Sequence, residues 1–294
     1  MPAIKLLRPA EVFGSGEAGP ADLSPYRWKF LAQGDSWFSF GSLFPPATGN
    51  LLLPLRLRGA ACAVDCAHPG RELVHMVDAR READFINLLV GNDEMPWDAI
   101  LLSGGGNDLI DAIGTPAVDA GGNAVDPGLR LLLTAAERGS VSSADGYISE
   151  AGWATFDAHL TAQFHEFVGV RDHPRSKSQG VPIFVHTYDF VTPRNAGAGL
   201  GFGPWLAPAL QAYAVPPEDW DALGRRFLQR LSALMLALDL PALTVVQTQG
   251  TLTPAADGST GRSNDWENEI HPDPDGYAKL AAVFGAVIDA TMPA

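Results

Sequence analysis

The sequence predicts an α/β fold: a three-layer α/β/α sandwich on a five-stranded parallel sheet, strand order 2-1-3-4-5, in one domain spanning 1–294. Two observations predict it. Five short, continuous, mostly aliphatic runs recur along the 294 residues, as strands covered on both faces require. Between them lie longer segments with apolar residues at helical spacing. Strand–helix alternation gives a parallel sheet between helix layers, and right-handed crossovers leave few topologies.

The runs are Trp28 to Ala32, Ala60 to Val64, Ala99 to Leu102, Val181 to Val185 and Leu243 to Val246. The helical patterns are Glu72 to Leu89, Trp153 to Val170, Trp220 to Leu238 and Tyr277 to Ile288. Residues 1–26, rich in Pro and Gly, read as an irregular lead-in on the surface. Within them Gly14 to Gly19 formally matches a dinucleotide fingerprint. It follows no strand and Pro20 comes straight after it, so the strand–turn–helix context that gives this motif its mechanism is missing.

Two stretches depart from the repeat and are too long for simple connectors. Residues 111–150 are Gly- and Asp-rich, with a short helix expected from Leu129 to Leu133. Residues 190–216 carry Phe190, Leu200, Phe202, Trp205 and Leu206, too apolar for solvent. They read as a pocket wall or a dimer contact. Both stretches fall on the side of the sheet where strands end.

The formal net charge of −14 argues against nucleic acid and anionic membrane as partners. No apolar run reaches the roughly 18 residues that span a bilayer. The first residues lack a signal-peptide core. Cys62 and Cys66 are the only cysteines and read as buried thiols of a cytoplasmic protein. His159 and His165 make no His-Glu-x-x-His site and no Cys/His cluster exists, so neither metal nor cofactor is expected.

The chemistry-bearing residues lie where strands end. The first strand runs into Gly34-Asp35-Ser36-Trp37, the way a buried strand delivers a hydroxyl to the rim of a sheet. The third runs into Ser103-Gly104-Gly105-Gly106-Asn107-Asp108, where glycines let backbone approach a ligand and Asn107 offers an amide N–H. In the order 2-1-3 these two strands are neighbours at the switch point where open α/β sheets bind ligands, so Ser36 and Asn107 are expected side by side. Gly70 follows the second strand and could present a further N–H. His271 sits in an acidic, proline-rich loop before the last helix, with Asp273 or Asp275 as that helix's cap.

This ordered set resembles the SGNH hydrolase superfamily, also called GDSL esterases and lipases, from about residue 28 to the C-terminus outside the two insertions. Gly34-Asp35-Ser36 looks like its nucleophile block, Gly70 sits where the family keeps an oxyanion-hole glycine, and Gly105-Gly106-Asn107-Asp108 looks like its Gly-x-Asn-Asp block. His271-Pro272 looks like the end of its final block. The resemblance implies a flavodoxin-like sandwich. It also implies a metal-independent serine esterase acting on a small-molecule ester. Its catalytic residues would be Ser36, His271 and Asn268, and its oxyanion hole Ser36, Gly70 and Asn107. The family's final block is Asp-x-x-His, whereas Asn268 precedes His271 by three. Asn268 is the expected orienting residue, with Asp265, Glu269 or a backbone carbonyl as alternatives. Trp37, Phe202 and Trp205 are the expected substrate contacts and favour an apolar acyl or aryl group. An acyltransferase with the same residues and a non-catalytic binding module on the same fold are the rival readings.

Overall fold

The computed structural model describes residues 1–14, 19–39, 49–199 and 201–293. Part of the Gly14–Gly19 stretch and Leu200 lie outside the described residues. The described chain builds a six-stranded, all-parallel sheet in the order β1-β3-β2-β4-β5-β6. The strands are β1 (Lys5–Leu7), β2 (Trp28–Gly34), β3 (Ala61–Asp65), β4 (Ala99–Ser103), β5 (Ile183–His186) and β6 (Leu243–Val246). The five expected strands take the expected order. The sixth, β1, is added outside β3, where Leu6 pairs with Ala63. It corrects the reading of 1–26 as wholly irregular, as does the short helix α1 (Pro9–Phe13). Three residues at a sheet edge, with only Leu7 buried, are too few to show a period.

All five residues of β4 are buried, and successive side chains point to opposite faces, so both faces of the sheet are covered. The helices are α2 (Ser36–Ser39), α3 (Leu73–Met76), α4 (Ala83–Val90), α5 (Gly106–Gly114), α6 (Glu150–Arg171), α7 (Ala207–Ala212), α8 (Trp220–Leu236) and α9 (Pro274–Thr291). Phe85 of α4 meets Phe167 of α6, and Trp153 of α6 stacks on Phe227 of α8. Phe38 of α2 packs on Phe284 of α9. Asp273 is the α9 cap, its side chain accepting the Gly276 N–H at 2.8 Å.

Two expected helices differ. The pattern from Glu72 to Leu89 breaks into α3 and α4. Asp78 turns the chain there, its carboxylate accepting the Arg80 N–H and its carbonyl the Arg81 and Glu82 N–H groups. Glu82 then points inward to Gln33, His68 and Arg71. The run Leu129 to Leu133 is not helical. After a single 3₁₀ turn at Pro127–Leu129 the chain extends, with Leu133 donating to Tyr147 and Ser149 donating to Leu131. Buried Leu131 and Leu132 therefore serve a ladder, not a helix face.

Register sets the site. Gly34 at the end of β2 lies opposite Ser103 at the end of β4, so the two loops leave the sheet abreast. A Cβ on Gly34 would stand 2.8 Å from Ser103 Cβ, so this approach requires glycine.

Candidate active site

Ser36 is the first residue of α2, directly beyond the β2 turn. Its Oγ lies 2.8 Å from His271 Nε2, although the two are 235 residues apart in the chain. His271 Nδ1 lies 3.0 Å from Asn268 Oδ1. The same oxygen accepts the backbone N–H groups of Ile270 at 3.1 Å and His271 at 2.9 Å. Two N–H donors fix that atom as the amide oxygen, so the facing Nδ1 carries its hydrogen and Nε2 presents a lone pair to the serine. Asn268 thus selects the tautomer. His271 is only 3% exposed, and burial pushes its pKa down to about 3. The imidazole is neutral over the ordinary pH range.

The alternative partners are engaged elsewhere. Asp265 is ion-paired with Lys279 at 2.6 Å and accepts the Thr253 N–H. Glu269 is turned away into the 190–216 segment. Asp35, next to the serine, points back under it. Its Oδ1 accepts the Ser103 hydroxyl at 2.7 Å and the Trp37 N–H at 2.9 Å, and its Oδ2 accepts the Tyr188 hydroxyl. Burial holds Asp35 up at about 6 in spite of these donors. His186 Nε2 reaches the same Ser103 Oγ at 2.9 Å. Burial pushes His186 down to about 4.

Asn107 lies on the first turn of α5, and its Nδ2 donates to the Arg71 carbonyl at 3.1 Å. An amide nitrogen carries two hydrogens, so the second remains for the cleft that Asn107 lines beside Ser36. Gly70 immediately precedes the carbonyl that holds Asn107. It is exposed, with φ of 74°, and it does not line the cleft among the described residues. The glycines before Asn107 serve packing and turn, and Gly106 also lines the cleft: a Cβ on Gly106 would stand 2.6 Å from the Tyr188 ring, and Gly105 has φ of 100°.

Ser36, Trp37 and Asn107 open on an apolar cleft walled by Leu109, Ile110 and Ile113 of α5, Leu228 of α8, and Val191, Leu206 and Ile270. Of the three expected substrate contacts, Trp37 alone lines it. Trp37 is also a buried strut, donating to the Ile270 carbonyl at 3.2 Å and meeting the rings of His186, Tyr188, Trp266 and Tyr277. Trp205 stands edge-on to the His271 ring at 5.3 Å. Phe202 is 61% exposed and away from the cleft, a correction to its reading as a substrate contact. In the 190–216 segment it is Val191 and Leu206 that form the wall, while Arg225 covers Phe190 at 4.4 Å.

The sequence reading missed the cleft's aliphatic wall and the Ser103, His186 and Tyr188 cluster. Leu109 and Ile113 are four apart on one helix, which marks a shared face. His186 ends β5 and Tyr188 follows it, at the same edge as the serine. Among the described residues no group of three or more His, Cys, Asp or Glu is placed to hold a metal ion, and no helix is long and apolar enough to cross a membrane. Cys62 and Cys66 are buried free thiols.

Against solved structures, the chain is similar to a protein assigned as an acylhydrolase from Bacteroides fragilis (10% identity, covering 97% of this chain and 94% of that one, TM-score 0.45). It is similar to a carbohydrate acetylesterase from Sinorhizobium meliloti (15% identity, 90% and 99% covered, TM-score 0.42). It is also similar to a variant of an acetyl-xylooligosaccharide esterase from Geobacillus (16% identity, 88% and 93% covered, TM-score 0.41). No family model and no curated protein matches the sequence.

Proposed function

We propose that the protein is a serine esterase that cleaves carboxylic esters through an acyl-enzyme on Ser36. The observation that carries this reading is the relay from Ser36 Oγ to His271 Nε2 at 2.8 Å and from His271 Nδ1 to Asn268 Oδ1 at 3.0 Å. His271 takes the Ser36 proton on Nε2 as Oγ bonds to the ester carbonyl carbon. The oxyanion receives hydrogen bonds from the Ser36 N–H and the free hydrogen of Asn107 Nδ2. Collapse breaks the bond to the alcohol oxygen, which leaves with the proton from His271. Water then repeats the cycle and returns Ser36 with the acid as product. Each oxyanion donor contributes about 3 kcal/mol to transition-state stabilisation. The aliphatic wall favours an apolar acyl group over a charged one.

The test is labelling by a p-nitrophenyl alkylphosphonate, with peptide mapping, beside turnover of p-nitrophenyl acetate and longer acyl esters by wild type and Ser36→Ala. Labelling at Ser36 and loss of turnover in the variant are expected. An unlabelled wild type, or a variant that turns over like it, refutes the assignment.

A further inference from the structure

The 190–216 segment contributes Val191 and Leu206 to the cleft, and the loop before α9 contributes His271 and Ile270. One side chain joins them. Glu269 is 1% exposed, two residues before the base. Its Oε1 accepts the N–H groups of Arg194 at 3.0 Å and Ala207 at 2.8 Å. Its Oε2 accepts those of Leu206, at 2.8 Å, and Trp205. One carboxylate therefore takes four backbone donors from a single segment, including those at the start of α7. Its own N–H donates to the Ala196 carbonyl at 2.8 Å, so the two stretches of chain are tied in both directions. Arg194, itself buried, donates from Nη2 to the Asn268 carbonyl at 2.7 Å and from Nη1 to the carbonyl and hydroxyl of Ser259. Trp205, held by Glu269, stands against the His271 ring.

Resting on the esterase reading, we infer that Glu269 is a positioning residue that registers the Val191 and Leu206 wall of the acyl cleft to the loop carrying His271. Glu269 touches neither the serine nor the cleft. It acts by holding Leu206 at one end and Asn268 and His271 at the other. Charged acceptors make the stronger hydrogen bonds, and this one stands where four backbone N–H groups have no other acceptor among the described residues. In Glu269→Gln, whichever way the amide turns, its NH₂ faces two of the four N–H groups. The segment must then move off the loop, which widens the cleft and loosens the base together.

The experiment compares wild type, Glu269→Gln and Glu269→Asp on p-nitrophenyl esters from acetyl to octanoyl. Each is normalised to the fraction that a p-nitrophenyl alkylphosphonate labels at Ser36 and to the folded fraction from circular dichroism. In Glu269→Gln, kcat per labelled site is expected to fall tenfold or more on every ester. Its chain-length profile of kcat/KM is expected to flatten, because the wall no longer discriminates. Glu269→Asp keeps the charge one methylene short and is expected to lie between. A variant of lower thermal stability that keeps the wild-type kcat per site and chain-length profile overturns the inference, since the carboxylate would then serve folding alone. Failure of both variants to fold overturns it on the same ground. Absence of labelling and turnover in wild type instead overturns the esterase reading, so the two failures are distinct.

Discussion

The orienting residue offers the sharpest perturbation, because an amide stands beside the imidazole where a carboxylate would carry charge. Asn268 is 1% exposed. Its Oδ1 accepts three N–H groups, and its Nδ2 is buried with no partner among the described residues. Asn268→Asp keeps all three acceptor contacts and exchanges the unpaired NH₂ for an unpaired oxygen, so packing changes little. What changes is the interaction with the imidazolium formed during attack. Opposite unit charges about 4 Å apart attract by about 4 kcal/mol at an effective dielectric of 20. The cost of keeping a carboxylate buried offsets part of that, so the expected gain in kcat/KM lies below the roughly 10³-fold that about 4 kcal/mol would give. The same charge raises the His271 pKa, so the acid limb of the pH profile moves upward with the gain. The assay is kcat/KM against pH on a p-nitrophenyl ester for both proteins. Equal kcat/KM and an unmoved acid limb in Asn268→Asp would refute the relay through Nδ1.

Three further outcomes follow from the site. Burial holds His271 at about 3, below its ordinary 6.5. As pH falls the neutral base therefore persists, and kcat/KM of the wild type is expected to hold its plateau well below pH 6.5; a limb centred at 6.5 or higher contradicts this. Asn107→Ala removes a proposed oxyanion donor and should lower kcat by about 10²–10³ with KM little changed, read from steady-state kinetics; a loss confined to KM would place Asn107 in ground-state binding instead. Tyr188→Phe deletes a hydroxyl that donates to the buried Asp35 carboxylate. It should destabilise the chain by about 1–3 kcal/mol, measured by urea unfolding, and an unchanged midpoint would show that Asp35 does not depend on that donor.

The sheet was legible because its central strands are continuous apolar runs, and a run such as Ala99–Ser103, buried at every residue, has no competing local signal. β1 was not, because three edge residues carry no pattern. The break between α3 and α4 was hidden because Glu82 occupies a helix-compatible position yet turns inward to Gln33, a tertiary contact that no local rule reports. At the site, Ser36, Asn107 and His271 could be proposed because strand ends and turn residues mark them, and Asn268 because the resemblance points to the position three before His271. The cleft wall could not: Val191, Leu206 and Leu228 become neighbours only when the 190–216 segment folds onto α8. Phe202 was misjudged for the same reason, since apolarity alone does not say which residues of a segment face inward.

Asp35 shows why adjacency in sequence is a poor guide to chemistry here. It is bonded to the residue that carries the proposed nucleophile, yet both its oxygens are turned to Ser103, Tyr188 and the Trp37 N–H. Its carboxylate fixes the turn from β2 into α2. Trp37 then transmits that position across the site, because its indole N–H holds the Ile270 carbonyl, one residue before His271, the proposed base. Ser36 and His271 are thus set by one rigid chain of contacts from Asp35 through Trp37 to Ile270. A relay with a neutral third member needs this, since Asn268 fixes the tautomer of His271 but adds no charge to hold the imidazolium. With less electrostatic attraction at that corner, geometry must supply more of the organisation, and the buried contacts beneath the serine are where this fold supplies it.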